Sequence, residues 1–355
     1  MVKHMMRESA LISQIQSRLE VVLKEVPSVR LKESREDVEV RDARLDLVLD
    51  VAVARERWRL LVETTTIAEP RLIRGVIQQL QSYLADRPKS YGIVGAPYIG
   101  PRSREICKEA GYGFVDLAGN CRLVFGPIFI ERRGFPNPKL ERRPLRNLFT
   151  PKASRVLRVL LEDTKQTWQV QAMAKQARVS LGLAFKVKQR LLDLEYAQEE
   201  DKGLRLTRPE ELLRQWATNY SYLKSDALDC FAIGDPPALE QALTAYCRQQ
   251  GITYALALFS GAARVAPFAR YSRGFAYAVC DAASLAQELV WKPVPSGANF
   301  TILAPYDEGL LYGARQVNGD IVVSDIQLYL DLVSYAGRGE EAAAFILDQR
   351  LRPRW

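Results

Sequence analysis

The segment Glu131 to Thr150, ERRGFPNPKLERRPLRNLFT, restricts the fold of this chain more than any other feature, with three prolines, six basic residues and no apolar periodicity. Prolines at that density remove ladder and helix donors, and a stretch with neither a two-residue nor a 3.6-residue period has no face to bury. It reads as an interdomain linker, so the 355 residues must build separate cores on either side of it. The expected division is a first α/β domain at 1–133, a basic Pro-rich linker at 134–150, a second module at 151–224 and a C-terminal α/β domain at 225–355, an α/β multidomain architecture.

Charge is distributed unevenly across that division. Residues 131–224 hold 20 basic and 11 acidic side chains, whereas residues 225–355 hold 10 and 14. A positive field confined to one module suits a polyanion, because lysines and arginines release the counterions condensed on phosphates; a basic, solvated face without a partner is the alternative. The one histidine, His4, stands at a Met-rich start. That excludes Ser/His/Asp and Cys/His triads and zinc-protease helices. Five widely spaced cysteines without a C-x-x-C pair argue against a disulfide framework and a thiolate zinc site. No export signal and no membrane span is legible, and a cytoplasmic location is expected.

Ser9 to Val26 repeats apolar residues at helical spacing, with Ser9 placed as its cap. Leu45 to Val53 and Trp58 to Thr66 read as adjacent antiparallel strands, Glu69 to Leu84 as a helix, Ser90 to Ile99 as a buried strand, Arg102 to Ala110 as a short helix and Tyr112 to Ile130 as further strands. Beyond the linker, helices are expected at Pro151 to Glu162, Val170 to Ala177 and Ser180 to Tyr196, then a hairpin turning at Asp201-Lys202-Gly203. Strands at Phe231 to Ile233, Tyr254 to Ser260, Gly274 to Val279, Asn299 to Ala304 and Ile321 to Val323 alternate with helices at Ala238 to Gln250 and Asp325 to Ser334.

Three helices followed by a hairpin match a winged helix-turn-helix. Its third helix would project Ser180, Gly182, Phe185, Lys186, Gln189 and Arg190 into a major groove, with Lys202, Arg205 and Arg208 of the wing on the flanking backbone. In the linker, Arg142 and Arg143 with their basic neighbours are candidates to follow a DNA backbone or to enter a minor groove; a merely solvated linker is the alternative. Arg102, Arg104, Asp116 and Asn120 form a second polar set that either contacts DNA or caps a turn.

In the first domain, Leu45-Asp46-Leu47-Val48-Leu49 followed by Val62-Glu63-Thr64-Thr65 resembles the PD-(D/E)XK restriction-endonuclease-like family, whose carboxylates hold magnesium. Thr65 stands where that family carries lysine. The resemblance therefore implies the fold with a degenerate, non-catalytic site and no cofactor, Asp46 and Glu63 being vestigial or simply strand-edge polar residues; the alternative is a magnesium-dependent nuclease targeted by the winged helix. Residues 150–355 resemble the AbiEi-type antitoxins of type IV toxin–antitoxin systems through Phe259-Ser260-Gly261 at a strand end, VSDIQLYLDL (323–332) and GRGEEAAAFIL (337–347). That resemblance implies a transcriptional repressor or antitoxin bound to double-stranded DNA, opposing a nucleotidyltransferase-like toxin encoded nearby. A homodimer is also expected, on the two-fold symmetry common among such regulators.

Overall fold

The computed structural model describes residues 2–40, 43–85, 87–136, 148–267 and 270–355. The chain divides into two compact units, Met1–Arg142 and Arg143–Trp355.

Unit 1 is a sheet between helices. Strands β1 (Val29–Val40), β2 (Ala43–Val53), β3 (Glu56–Thr64), β4 (Ser90–Ala96), β5 (Gly113–Asp116), β6 (Cys121–Phe125) and β7 (Ile128–Arg132) lie side by side in chain order. The first three are antiparallel, β3, β4 and β5 run parallel, and β6 and β7 turn antiparallel again. The parallel pairs need crossovers, which α2 (Pro70–Leu84) and α3 (Pro101–Glu109) supply. Alternation along the strands sends Leu47, Leu49, Leu60, Val62 and Ile93 to one face, under Leu11, Ile15 and Leu19 of α1 (Val2–Lys24). Val48, Leu61 and Val94 go to the other face, under Ile73, Ile77 and Leu80 of α2. A sheet apolar on both faces requires that cover.

Helix α1 begins at Val2, so Ser9 lies inside it and is not its cap. Most of the Pro-rich segment lies outside the described residues, Arg142 and Arg143 included.

Unit 2 opens with α4 (Pro151–Glu162), α5 (Val170–Gln176), α6 (Leu181–Asp193) and the hairpin of β8 (Ala197–Glu200) and β9 (Gly203–Leu206). Trp168 and Leu204 exchange backbone hydrogen bonds of 2.8 and 2.9 Å, which pins the hairpin to the chain between α4 and α5. Helix α7 (Pro209–Ala217) then leads into a second seven-stranded sheet. Its order is β13 (Lys292–Pro293), β10 (Asp226–Phe231), β14 (Phe300–Ala304), β12 (Gly274–Ala278), β11 (Tyr254–Leu256), β16 (Asp320–Val322) and β15 (Arg315–Val317). Helices α8 (Pro236–Gln250), α9 (Leu258–Val265), α10 (Ala282–Glu288), α11 (Asp325–Val333) and α12 (Gly339–Ile346) complete the unit.

Two expected strands differ. Strand β10 ends at Phe231, leaving Ala232 and Ile233 outside it. The expected strand Tyr254 to Ser260 stops at Leu256, and Phe259-Ser260-Gly261 lie in α9 instead. Leu258 takes a left-handed φ of 42°, which ends the extended run. A Cβ at Gly261 would stand 2.7 Å from Leu328 Cδ2 and 2.8 Å from the Leu256 carbonyl oxygen, so glycine lets α9 fold back against the strand it leaves.

One hydrophobic core runs through unit 2, from Val156 and Leu160 of α4 through Trp216 of α7 to Leu328 and Leu332 of α11. Helix α4 is buried from Ala153 to Leu161 with only Arg155 partly exposed, as expected of a helix packed between two layers.

Candidate functional site

Helix α6 has two faces. Ala184, Val187 and Leu191 are buried against the core of unit 2. On the opposite side Ser180, Leu181, Gly182, Phe185 and Lys186 are exposed, and Gln189 and Arg190 are half-buried. Ser180 is the N-cap, its hydroxyl accepting the Leu183 N–H at 3.3 Å. No acidic residue occurs in the helix before Asp193, so the dipole's positive end and Lys186 act together on anything that approaches. A Cβ at Gly182 would meet nothing within 4 Å; the glycine leaves an open notch between Leu181 and Phe185.

Of the hairpin residues, Lys202 sits exposed at the turn, and Arg205 on β9 pairs with Glu200 across the hairpin. Arg208 stands beyond the hairpin, at the N-cap position of α7, 3.6 Å from Glu211. Part of the basic surplus of this region turns inward. Arg155 of α4 grips both carboxylate oxygens of Asp307 at 2.7 Å and also meets Glu308. Arg158 is 1% exposed, its guanidinium 4.9 Å from the centre of the Trp216 ring.

The signature 323–332 has a structural reason. Ser324 caps α11, and the carboxylate of Asp325 gathers Arg315 at 2.6 Å, Arg354 at 3.2 Å and Arg350 at 3.6 Å. Arg354 also bonds Glu162 at the end of α4. Six residues on, Oδ1 of the fully buried Asp331 accepts from Tyr220 at 2.7 Å, Tyr277 at 3.0 Å and Gln327 at 2.6 Å. Burial pushes the Asp331 carboxyl up to about 7 against the pull of those donors and of Arg158.

In unit 1 the antiparallel pairing of β2 and β3 brings Asp46 beside Glu63. Oδ2 of Asp46 accepts the Thr64 N–H at 2.7 Å and the Thr64 hydroxyl at 2.6 Å. Glu63 accepts the Asp46 N–H at 3.2 Å on one oxygen and the Gln79 amide on the other. Gln79 Nε2 also reaches Tyr83 Oη at 3.1 Å, and that hydroxyl donates to the Arg44 carbonyl. Gln79 and Tyr83 escape the sequence reading; their four-residue spacing on the helix after β3 was the available signal. Burial, then the Asp46 charge, pushes the Glu63 carboxyl up to about 7. Thr65 Oγ1 donates to the Ile67 carbonyl in the turn after β3, at 2.9 Å. This donor set does not fit a resident magnesium: both Glu63 oxygens and one of Asp46 are occupied by protein donors, and no lysine ammonium is supplied at Thr65. Among the described residues no group of three or more His, Cys, Asp or Glu side chains is placed to hold a metal.

Asp116 and Asn120 belong to a turn. Asp116 accepts the Gly119, Asn120 and Ile99 N–H groups and the Asn120 amide, which consumes both carboxylate oxygens. All five cysteines are free, and burial pushes Cys107 up to about 12 and Cys121, Cys230 and Cys247 up to about 11, out of reach of thiolate chemistry at neutral pH. Among the described residues no helix is long and apolar enough to cross a membrane.

Among solved structures the chain is similar to a repair endonuclease from Pyrococcus abyssi, at 14% identity over 29% of this chain and 46% of that one, with a TM-score of 0.22. It is also similar to EndoMS in apo form, at 13% identity over 29% and 45% with a TM-score of 0.22. This chain spans less than half the length of either. No curated protein matches it. A family match covers a shorter stretch than the resemblance read from the sequence, omitting α4 to α6 and β8: residues 205–352 are similar to the family described as transcriptional regulator, AbiEi antitoxin, Type IV TA system.

Proposed function

We propose that this protein is a DNA-binding transcriptional regulator of the antitoxin type, in which α4, α5, α6 and the β8–β9 hairpin act as a winged helix and α6 enters the major groove. The observation that carries the reading is the outer face of α6: Ser180, Gly182, Phe185 and Lys186 are exposed on a capped helix that has no acidic residue before Asp193. Lys202, exposed at the hairpin turn, is placed for a flanking phosphate, and Arg205 joins it by exchanging its Glu200 partner for one. Unit 1 is read as a restriction-endonuclease-like domain that has lost cleavage, because its carboxylates are bonded internally and Thr65 carries no charge. A nucleotidyltransferase-like toxin encoded nearby is the proposed counterpart, and a homodimer on a two-fold symmetric site is the proposed assembly.

The test is binding of the full chain to duplexes covering the region upstream of its own gene, followed by fluorescence anisotropy over a salt series. Lys186→Ala with Gln189→Ala is expected to weaken binding at least tenfold, about 1.4 kcal/mol, and to lower the salt slope by about one. Unchanged affinity in that double variant would remove α6 from the interface. Incubation with plasmid and Mg²⁺ is expected to leave the plasmid intact; cutting that disappears in Glu63→Ala would reinstate the nuclease reading.

A further inference from the structure

The outer face of α6 is unusual for a surface that meets a polyanion, because two large apolar side chains stand on it. Leu181 is 51% exposed and Phe185 50% exposed, one helical turn apart, so they share a side of the helix. Neither is needed for the core, which the helix reaches through Ala184, Val187 and Leu191. Exposed apolar area of this size costs free energy in water unless something covers it in the working state. Between them lies Gly182, whose open Cβ position leaves room for an atom of a ligand close to the helix backbone. One turn beyond Phe185 stands Gln189, a carboxamide able to donate and accept in a fork.

In a major groove these features have one common counterpart. The apolar protrusion of the groove floor is the thymine C5-methyl, and the base edge that matches a carboxamide fork is adenine N6 and N7. Lys186, on the opposite flank of the same face, meets phosphate rather than a base edge of a given identity. We infer that α6 reads A·T-rich half-sites, with Leu181 and Phe185 packed on thymine methyl groups and Gln189 paired to an adenine. The inference rests on α6 being the groove-binding helix, and it adds the base identity that helix selects. The charge of the module, with Lys186 beside the apolar pair and Lys202 on the hairpin, favours DNA over a second protein as the cover for these side chains.

The experiment starts from a pool of randomised duplexes, from which those retained by the purified full-length protein at low salt are selected and sequenced. The selected duplex is then remade with deoxyuridine for thymidine at single positions, which removes one methyl group and leaves every base-pair hydrogen bond in place. A·T-rich selection and about fourfold weaker binding for each contacted methyl removed are expected. The penalty should vanish in Phe185→Ala or Leu181→Ala at one position each, with circular dichroism confirming that the half-exposed truncations leave the helix intact. Selection of a sequence whose uridine forms bind as tightly as the thymidine form overturns the methyl contact while leaving α6 as a DNA-binding helix if Lys186→Ala still weakens binding. A Phe185→Ala variant that changes oligomeric state at unaltered DNA affinity also overturns it, by giving the patch to protein. Retention of no duplex at all defeats this inference and the DNA-binding reading together.

Discussion

Asp325 and Glu63 are both buried carboxylates, and the protein treats them in opposite ways. Three guanidinium groups converge on Asp325, so the carboxylate is compensated where it stands. Asp325→Asn leaves Arg315, Arg350 and Arg354 facing a neutral amide, and is expected to cost about 3 kcal/mol in the unfolding of unit 2, read from urea midpoints. A loss under 1 kcal/mol would mean the arginines find other partners. Among the described residues no cation pairs with Glu63, and burial raises its carboxyl to about 7 in the folded chain, whereas the unfolded side chain ionises near its ordinary value of 4.5. Its folded value is raised, so the stability present below the unfolded value is lost as pH climbs to 7. Glu63→Gln should flatten that slope for unit 1 and leave the variant about 1 kcal/mol more stable than wild type at pH 8; parallel pH profiles would refute the assignment. Asp331 is raised in the same direction, so unit 2 should weaken over the same pH window. The positions of Asp46 and Glu63 on neighbouring strands were legible from the two apolar runs. Their use of Thr64 and Gln79 as donors was not, because hydrogen-bond direction depends on strand register and on how α2 lies over the sheet.

Among the elements, α6 and the hairpin depend on local backbone chemistry. Ser180→Ala removes the side-chain acceptor for the Leu183 N–H and should cost about 1 kcal/mol, with fraying confined to the first turn of α6 by hydrogen exchange. Gly203 has a φ of 133° and lies so close to Trp168 that a Cβ would stand 2.4 Å from its carbonyl oxygen. Gly203→Ala must therefore open the Trp168–Leu204 pair, a loss of about 2 kcal/mol or more that should appear as early amide exchange at residues 168 and 204. The five elements between 151 and 206 were readable because the helices have an undisturbed period and the hairpin its own turn signal. Strand β1 was not. Its register slips between Leu31 and Glu33, and Asp37 takes a left-handed φ of 50°, so two irregularities break the two-residue alternation within VRLKESREDVEV. Helix α9 was misread for a related reason: after Leu256 the apolar residues continue without a polar break, and a short apolar run does not separate strand from helix.

At the scale of the whole molecule, the charge map and the core map divide the chain differently. Charge and the hairpin suggested a boundary near residue 224, yet the apolar core of unit 2 runs continuously from α4 to α12. The sequence hides this because both sides of α4 are apolar for different partners, α5 and α6 on one and the C-terminal layer on the other. Leu160→Ala, at a fully buried position of α4, is expected to cost 2–5 kcal/mol on the order of other core truncations. It should lower the Trp216 fluorescence midpoint and the far-ultraviolet midpoint of unit 2 together. Two separated transitions would show that the helices and the C-terminal sheet unfold independently.

The grip of Arg155 on Asp307 and of Arg354 on Glu162 has a practical corollary for anyone hoping to transplant the three helices and hairpin alone. Excised after residue 208, it would present the sticky flank of its first helix, with a stranded guanidinium in the middle of it, to water. On the proposed reading, the smallest portable piece is therefore the entire second half, and changing its target would mean rewriting side chains on α6 rather than swapping a cassette.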